Sequence, residues 1–193
     1  MNLRNYGWLF GTTLLIGALG GLIAGFLIAP DKLLDGSMAN LAMGSLMNIL
    51  FGLTISIVAQ MGFFAYMLFN STVLGMFRNS SVWRTVQIFL VLFVFFDMVY
   101  LRYTSLGGDS IWPYFFEPTL LLLVTLVVAY AKVKVTNASA WVPSIFFLYV
   151  VTALEWIPGL KQDDVGALSM LIPLFLCNAW QIMQLHRLVK KES

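Results

Sequence analysis

Long apolar stretches alternate with short polar segments along this chain. A helix needs about 20 mostly apolar residues to cross the roughly 30 Å hydrocarbon core of a bilayer. Six stretches qualify, and they predict spans at about residues 6–28, 41–69, 82–101, 114–131, 140–157 and 165–188. Because the intervening segments are too short for a soluble domain, we expect residues 1–193 to form a single six-span transmembrane domain.

The apolar pattern indicates helices and not barrel strands. Residues 88–96, IFLVLFVFF, are apolar at every position, whereas a barrel strand alternates polar and apolar residues. The first stretch resembles a signal peptide because Arg4 precedes it, but it exceeds the 7–15 apolar residues of such a signal. Pro30 would also directly follow a candidate cleavage site. The prediction is an all-α bundle of six transmembrane helices.

The composition narrows the class of protein. The chain is 60% hydrophobic and 10% charged, with a mean hydropathy of +0.88, whereas soluble domains are about 25% charged. So few charges cannot cover a globular surface, which excludes a soluble enzyme, a disordered chain and a nucleic-acid binder. The single cysteine, Cys177, excludes an intrachain disulfide. The single histidine, His186, leaves little room for metal or acid–base chemistry.

The distribution of charge predicts the orientation in the membrane. With six spans both termini lie on one side, and that side carries eight basic residues: Arg4, Arg78, Arg84, Lys132, Lys134, Arg187, Lys190 and Lys191. The opposite side carries three: Lys32, Arg102 and Lys161. The acids agree, because the outer loops hold Asp31, Asp35, Asp109, Asp163 and Asp164, and the inner side only Glu192. Positive residues collect on the cytoplasmic side, so both termini are expected there.

Three carboxylates fall inside predicted spans, each near the outer face. Asp97 lies five residues before Arg102, which places it about 7–8 Å deeper at a helical rise of about 1.5 Å. Glu117 and Glu155 lie at comparable shallow depths. The candidate partners are Tyr100, Arg102, Tyr103 and Trp156. Such groups face the interior, water or a partner, so this outer polar layer either binds a ligand or only pairs structurally.

Two stripes of small and polar residues predict close helix packing. The first span carries Gly17, Gly21 and Gly25 at steps of four, a spacing that lets two helix backbones approach. The second span repeats the same step with Gly44, Asn48, Gly52, Ser56 and Gln60. These stripes are candidate helix-packing or partner faces. A conduction path along the second stripe is the alternative.

The sixth span carries amides toward its cytoplasmic end. Asn178, Gln181 and Gln184 follow one another at steps of three, and His186 and Arg187 come next. This polar face could contact a partner helix or a cytoplasmic protein, or bond within the bundle.

Motifs of enzyme chemistry are absent. The chain has no HExxH, GxSxG, Walker loop or cysteine pair. Asp97 is the only aspartate within a predicted span, so a facing pair for an aspartyl protease is missing. We therefore expect a non-enzymatic protein with no catalytic residues, cofactor or metal. An intramembrane hydrolase using His186 or Asp97 is a minor alternative.

Several segments with embedded polar residues resemble one known family, in order along nearly the whole chain. They are WLFGTTLLIG at 8–17, QMGFFAY at 60–66, FDMVYLRY at 96–103, LEWIP at 154–158, CNAWQ at 177–181 and LHR at 185–187. The sequence is similar to the KinB-signalling pathway activation protein family (KbaA) of endospore-forming bacilli.

That resemblance implies a multi-pass plasma-membrane protein that promotes signalling by the KinB sensor histidine kinase. The kinase feeds the phosphorelay that starts sporulation. Its membrane part would be the partner, and the family brings no catalytic motif or ligand site. The alternative from the residues alone is a small transporter or channel that uses the outer carboxylates.

Overall fold

The computed structural model describes residues 3–28, 30, 38–76, 80–107 and 110–189, and every regular element in these ranges is helical. The elements are α1 (Leu3–Ile28), α2 (Met38–Met76), α3 (Ser80–Leu106), a 3₁₀ turn (Trp112–Phe115), α4 (Phe116–Val135), a second 3₁₀ turn (Ala138–Ala140), α5 (Trp141–Phe146), a π turn (Phe147–Val151), α6 (Thr152–Leu160) and α7 (Asp164–Val189).

Six of the described helical stretches are long and apolar enough to cross a membrane, which confirms the all-α, six-span prediction. They are Arg4–Ile28, Met38–Met76, Ser81–Leu106, Trp112–Val135, Ala138–Leu160 and Asp164–Arg187. Most are longer than the apolar runs that predicted them. The predicted spans end where the first polar residues interrupt the apolar run. The helices extend further because backbone hydrogen bonding does not depend on the polarity of the side chain.

The fifth stretch departs most from a regular helix. It passes from α5 through the π turn into α6, and it continues past Pro158 to Leu160. The sequence predicted an end at about residue 157 because of that proline. A proline lacks an N–H donor and crowds the carbonyl four residues before it, but the residues after it keep their donors, so the helix can continue to Leu160. The π turn was not predicted, since no residue type marks it.

Helix α2 is much longer than a bilayer crossing requires. Its 39 residues rise about 58 Å at about 1.5 Å each, against a hydrocarbon core of roughly 30 Å. The helix contributes to both of the compact units into which the chain divides. The terminal unit comprises Met1–Met61 and Gln162–Ser193, and the central unit comprises Gly62–Lys161. The expectation of a single six-span domain stays a prediction.

In the terminal unit, α1 and α7 pack antiparallel. Trp8 near the start of α1 lies against Trp180 of α7, with ring centroids 6.1 Å apart. Further along, the Cys177 thiol donates to the Thr13 carbonyl at 3.7 Å. Gly20 meets Pro173 so closely that an added Cβ would lie 2.7 Å from the proline Cα.

In the central unit, an aromatic cluster holds α2, α3 and α5 together. Tyr66 lies 4.9 Å from Phe147 and 6.1 Å from Phe146, measured between ring centroids. Trp83 packs edge-on against Phe146 at 5.8 Å. Its indole N–H donates to the Asn70 side-chain oxygen at 3.0 Å, so this polar group is satisfied inside the apolar cluster.

Several residues used for the orientation lie outside the described residues. They are Asp31, Lys32, Asp35, Arg78, Asp109, Lys190, Lys191 and Glu192. The cytoplasmic location of both termini stays a prediction.

Candidate functional site

A buried ion pair joins α3 to α4 in the central unit. Arg102 donates from Nε to one carboxylate oxygen of Glu117 and from Nη2 to the other, both at 2.6 Å. Arg102 is 1% exposed and Glu117 is 9% exposed. The bidentate geometry is the strongest form of a guanidinium–carboxylate contact. Breaking a buried pair of this kind is costly because one charge stays behind in apolar surroundings.

The same arginine also reaches α6. Its Nη1 donates to the Leu160 carbonyl at 3.4 Å, and Leu160 is the last residue of that helix. The final carbonyls of a helix lack partners within it, so Arg102 satisfies an acceptor that would otherwise be unpaired. Nearby, the Tyr149 hydroxyl donates to the Pro118 carbonyl at 3.2 Å. These bonds tie α4 to α3 and to the fifth span.

Glu155 of α6 lies against α2. Gly62 leaves the space for it, because an added Cβ at that glycine would overlap the Glu155 carboxylate. Glu155 is half-buried. A side chain larger than hydrogen at residue 62 would therefore displace this carboxylate.

Asp97 and Tyr100 point away from the ion pair. Successive helix residues turn by about 100°, so Asp97 lies about 140° around α3 from Arg102. The structure agrees, since Arg102 is buried while Asp97 and Tyr100 are exposed. Within the part of the chain that the structure describes, the Asp97 carboxylate has no ion pair or hydrogen bond. Asp97 thus does not join the buried cluster.

The five members of the outer polar layer therefore separate into groups. Arg102, Glu117 and the end of α6 lie at one level, joined by hydrogen bonds. Glu155 lies five residues before Leu160 and Asp97 five before Arg102, so each is about 7–8 Å further from that end of its helix. Asp97 faces outward at this deeper level, and Tyr100 faces outward two residues before Arg102, about 3 Å from its level.

The outward side of α3 is rich in exposed aromatic rings. We define the acidic aromatic face as Phe89, Phe93, Phe96, Asp97 and Tyr100. Its four rings are each 57–64% exposed, and Phe89 stacks on Phe93 with centroids 6.4 Å apart. A lone carboxylate in the middle of such a face is unusual, because charged residues of membrane spans normally face a partner or water.

The two small-residue stripes meet in the terminal unit. An added Cβ at Gly17 would lie 2.6 Å from the Gly52 carbonyl oxygen, and one at Gly21 would overlap the Asn48 carbonyl oxygen. At Gly25 an added Cβ would overlap the Asn48 side-chain amide. The backbones of α1 and α2 therefore touch along this line.

The remaining members of the second stripe differ in exposure. Gly44 is half-buried. Gln60 is 4% exposed and donates from its amide nitrogen to the Phe10 carbonyl at 3.5 Å. This bond links α2 to the opening turns of α1.

The amides of α7 face inward. Asn178 and Gln181 are both 0% exposed, and Gln184 is 7% exposed. Within the described residues neither side-chain atom of Gln181 has a hydrogen-bond partner, nor does the Gln184 oxygen. Asn178 and Gln181 lie in the interior of the terminal unit, and Gln184 lies at its edge beside a small cavity.

Several buried polar residues of the central unit were missed from the sequence. Gln87, Thr125 and Ser144 are at most 2% exposed, and Lys132 is 4% exposed. Each interrupts or borders an apolar run on its span; that position marks a polar group within a span, whereas its inward orientation depends on packing. The described residues contain no group of three histidine, cysteine or acidic side chains placed to hold a metal ion.

Taken together, the described residues form an all-helical fold with six helices that are long and apolar enough to cross a membrane, the class of a multi-span membrane protein. The family described as "KbaA: KinB-signalling pathway activation in sporulation" matches residues 17–188, and the chain belongs to that family. It is 35% identical over 190 residues to the KinB-signaling pathway activation protein of Bacillus subtilis (strain 168), covering 94% of this chain and 96% of that protein. No solved structure matches the chain. The family's signalling role is consistent with the expectation of a non-enzymatic protein.

Proposed function

We propose that this chain is a non-enzymatic activator of a membrane sensor histidine kinase in a KinB-type sporulation pathway. It would reside in the bacterial plasma membrane with both termini in the cytoplasm. Activation would come from direct contact between its helices and the membrane helices of the kinase, and the phosphorelay would carry the signal onward. The family membership and the curated relative support the pathway.

The acidic aromatic face of α3 is the surface that we assign to this contact. Asp97 supports the assignment most directly, because it is an exposed carboxylate within a span and has no ion pair among the described residues. A carboxylate facing hydrocarbon is costly. A lysine, arginine or hydroxyl donor on the partner's membrane helix would remove that cost.

The aromatic rings around Asp97 suit the same role. Phe93 and Tyr100 lie within about one turn of Asp97 on the same side of α3, and both are exposed. Aromatic residues contribute large contact areas and dominate the energy of many interfaces. The face therefore offers one charged anchor surrounded by rings that a partner helix can cover.

The test combines a reporter with crosslinking in the native host. A strain lacking the gene receives the wild-type protein, Asp97→Leu or Asp97→Asn, and a kinase-dependent sporulation reporter is measured. We expect a severalfold loss with Asp97→Leu and a smaller loss with Asp97→Asn, because the amide keeps hydrogen bonding without the charge. Asp163→Asn is the matched control, since Asp163 is exposed in the turn before α7 and outside the spans.

A photocrosslinking residue at position 93 should capture the kinase, and one at the exposed Leu154 of α6 should not. An unchanged reporter in the deletion strain would contradict the activator function itself. An unchanged reporter and crosslink in Asp97→Leu, with the deletion still defective, would contradict only the assigned face.

A further inference from the structure

A small cavity opens at one end of the terminal unit, where α1 begins and α7 ends. Its volume is about 210 Å³, and it is lined by Asn5, Trp8, Gln184 and Arg187. The antiparallel packing of α1 on α7 brings these four side chains together, and Trp8 also contacts Trp180 of α7. At about 30 Å³ of liquid volume for each water molecule, the cavity has room for a small polar group.

The lining contains an acceptor that lacks a donor. Gln184 is buried, and its side-chain oxygen has no hydrogen-bond partner within the described residues. Gln181, three residues earlier on α7, is 0% exposed, and neither of its amide atoms has a partner there. Buried polar groups are normally hydrogen-bonded, so the Gln184 oxygen beside the cavity is an acceptor that a donor in the cavity would satisfy.

Among the described residues, two arginines lie at this end. Arg187 is exposed at the cavity, and the exposed Arg4 precedes Asn5 on α1. The carboxylate of Asp164 lies at the other end of α7, 20 residues before Gln184 and therefore about 30 Å away. A guanidinium binds a phosphate through two parallel hydrogen bonds, so the cavity favours a phosphate over a neutral or cationic group.

An apolar surface continues from the cavity along α1. Trp8, Leu15, Leu19 and Phe26 recur at spacings that place them on one side of the helix. They are 47%, 66%, 54% and 44% exposed. This stripe runs the length of the span, so a molecule whose polar end fills the cavity can lay a hydrocarbon chain beside it.

We infer that this cavity binds the headgroup of an anionic glycerophospholipid. The phosphate contacts Arg187 and the Asn5 amide, a headgroup hydroxyl donates to the Gln184 oxygen, and an acyl chain follows the α1 stripe. A lipid headgroup and a soluble phosphate ester share the chemistry that this site recognises, which is a phosphate ester that carries a hydroxyl group. A lipid is favoured over a free phosphate ester because the apolar stripe begins at the cavity.

The experiment uses the full chain purified in detergent and mixed with equal amounts of phosphatidylglycerol and phosphatidylcholine. Native mass spectrometry then counts the lipids that each protein retains. We expect the wild type to retain phosphatidylglycerol preferentially. Arg187→Gln should lower that retention about tenfold, as for loss of a hydrogen bond to a charged group. Gln184→Leu should lower it about threefold, as for a neutral hydrogen bond.

Arg84→Gln is the matched control, because Arg84 is an exposed arginine on α3 in the central unit. The Arg84→Gln variant should retain as much phosphatidylglycerol as the wild type. Circular dichroism should show that all variants are folded. Equal retention of the two lipids, or the same loss in Arg84→Gln as in Arg187→Gln, would overturn the inference. Displacement of phosphatidylglycerol by millimolar sn-glycerol 3-phosphate would overturn the lipid assignment and leave a site for the soluble ester.

Discussion

Arg102 and Glu117 form a bidentate pair with both hydrogen bonds at 2.6 Å, and both side chains are buried. They lie 15 residues apart on two different helices. The pair therefore fixes the register of α3 against α4 at one level. It also pairs two charges of the outer polar layer, for which the sequence left ligand binding and structural pairing open.

We expect Glu117→Gln to destabilise the central unit by about 3–5 kcal/mol, because Arg102 would stay charged and buried without its counter-ion. Replacing both partners, as Arg102→Met with Glu117→Leu, should cost far less than either single change. Thermal unfolding in detergent measures both effects. Arg84→Met is the control, since surface changes usually stay within about 0.5 kcal/mol. A double variant that is as unstable as Glu117→Gln would contradict this account.

The glycine contact between α1 and α2 gives a second prediction. Gly21→Ala should destabilise the terminal unit by about 1–3 kcal/mol, the usual cost of overpacking, because the new Cβ would overlap the Asn48 carbonyl oxygen. Gly11→Ala is the matched control on the same helix, where an added Cβ has nothing within 4 Å. It should be neutral or stabilise by up to about 1 kcal/mol. Chemical unfolding measures the change in stability of both variants. Equal changes at the two positions would exclude the close contact between α1 and α2.

The fold class followed from the sequence because apolar length and missing alternation are local properties of the chain. Six spans could be counted without knowing any contact. The partner of Arg102 could not be predicted from the sequence, because three carboxylates lay at comparable depth. Only the packing of the helices selects Glu117. The rotation of Asp97 away from Arg102 was available from the sequence, since their spacing of five residues places them on different sides of a helix.

Other features depend on contacts that no pattern encodes. The amide of Gln87 is 0% exposed, yet it lies in an apolar run where either side of α3 was a reasonable choice. The π turn at Phe147–Val151 consists of ordinary apolar residues. The cavity at Trp8 and Gln184 forms only because α1 and α7, far apart in the chain, pack antiparallel.

Replacing Gln87 tests whether unpaired polar groups in the interior of the central unit lower its stability. Both of its amide atoms lack a hydrogen-bond partner within the described residues, as does the hydroxyl of the fully buried Thr125. Gln87→Met and Thr125→Val should therefore each stabilise the protein, by about 1–2 kcal/mol, because an unsatisfied buried polar group is removed at similar volume.

The control for these two changes is Thr104→Val. The Thr104 hydroxyl is exposed and bonds to the Tyr100 carbonyl of its own helix at 2.9 Å, so its loss should change stability little. Unfolding midpoints in detergent compare the three variants. Destabilisation by Gln87→Met would mean that the amide bonds to a buried water or ligand, contrary to the prediction.

The orientation can be tested by cysteine labelling, because the native Cys177 is buried and gives a low background. Ser110 precedes the fourth span and Ser139 lies in the first turn of the fifth, and both are exposed. If the positive residues mark the cytoplasmic side, a membrane-impermeant maleimide should label Ser110→Cys in intact cells. It should label Ser139→Cys only after the membrane is opened. The reverse pattern would place both termini outside, and labelling of both positions in intact cells would contradict the assignment of the fourth span.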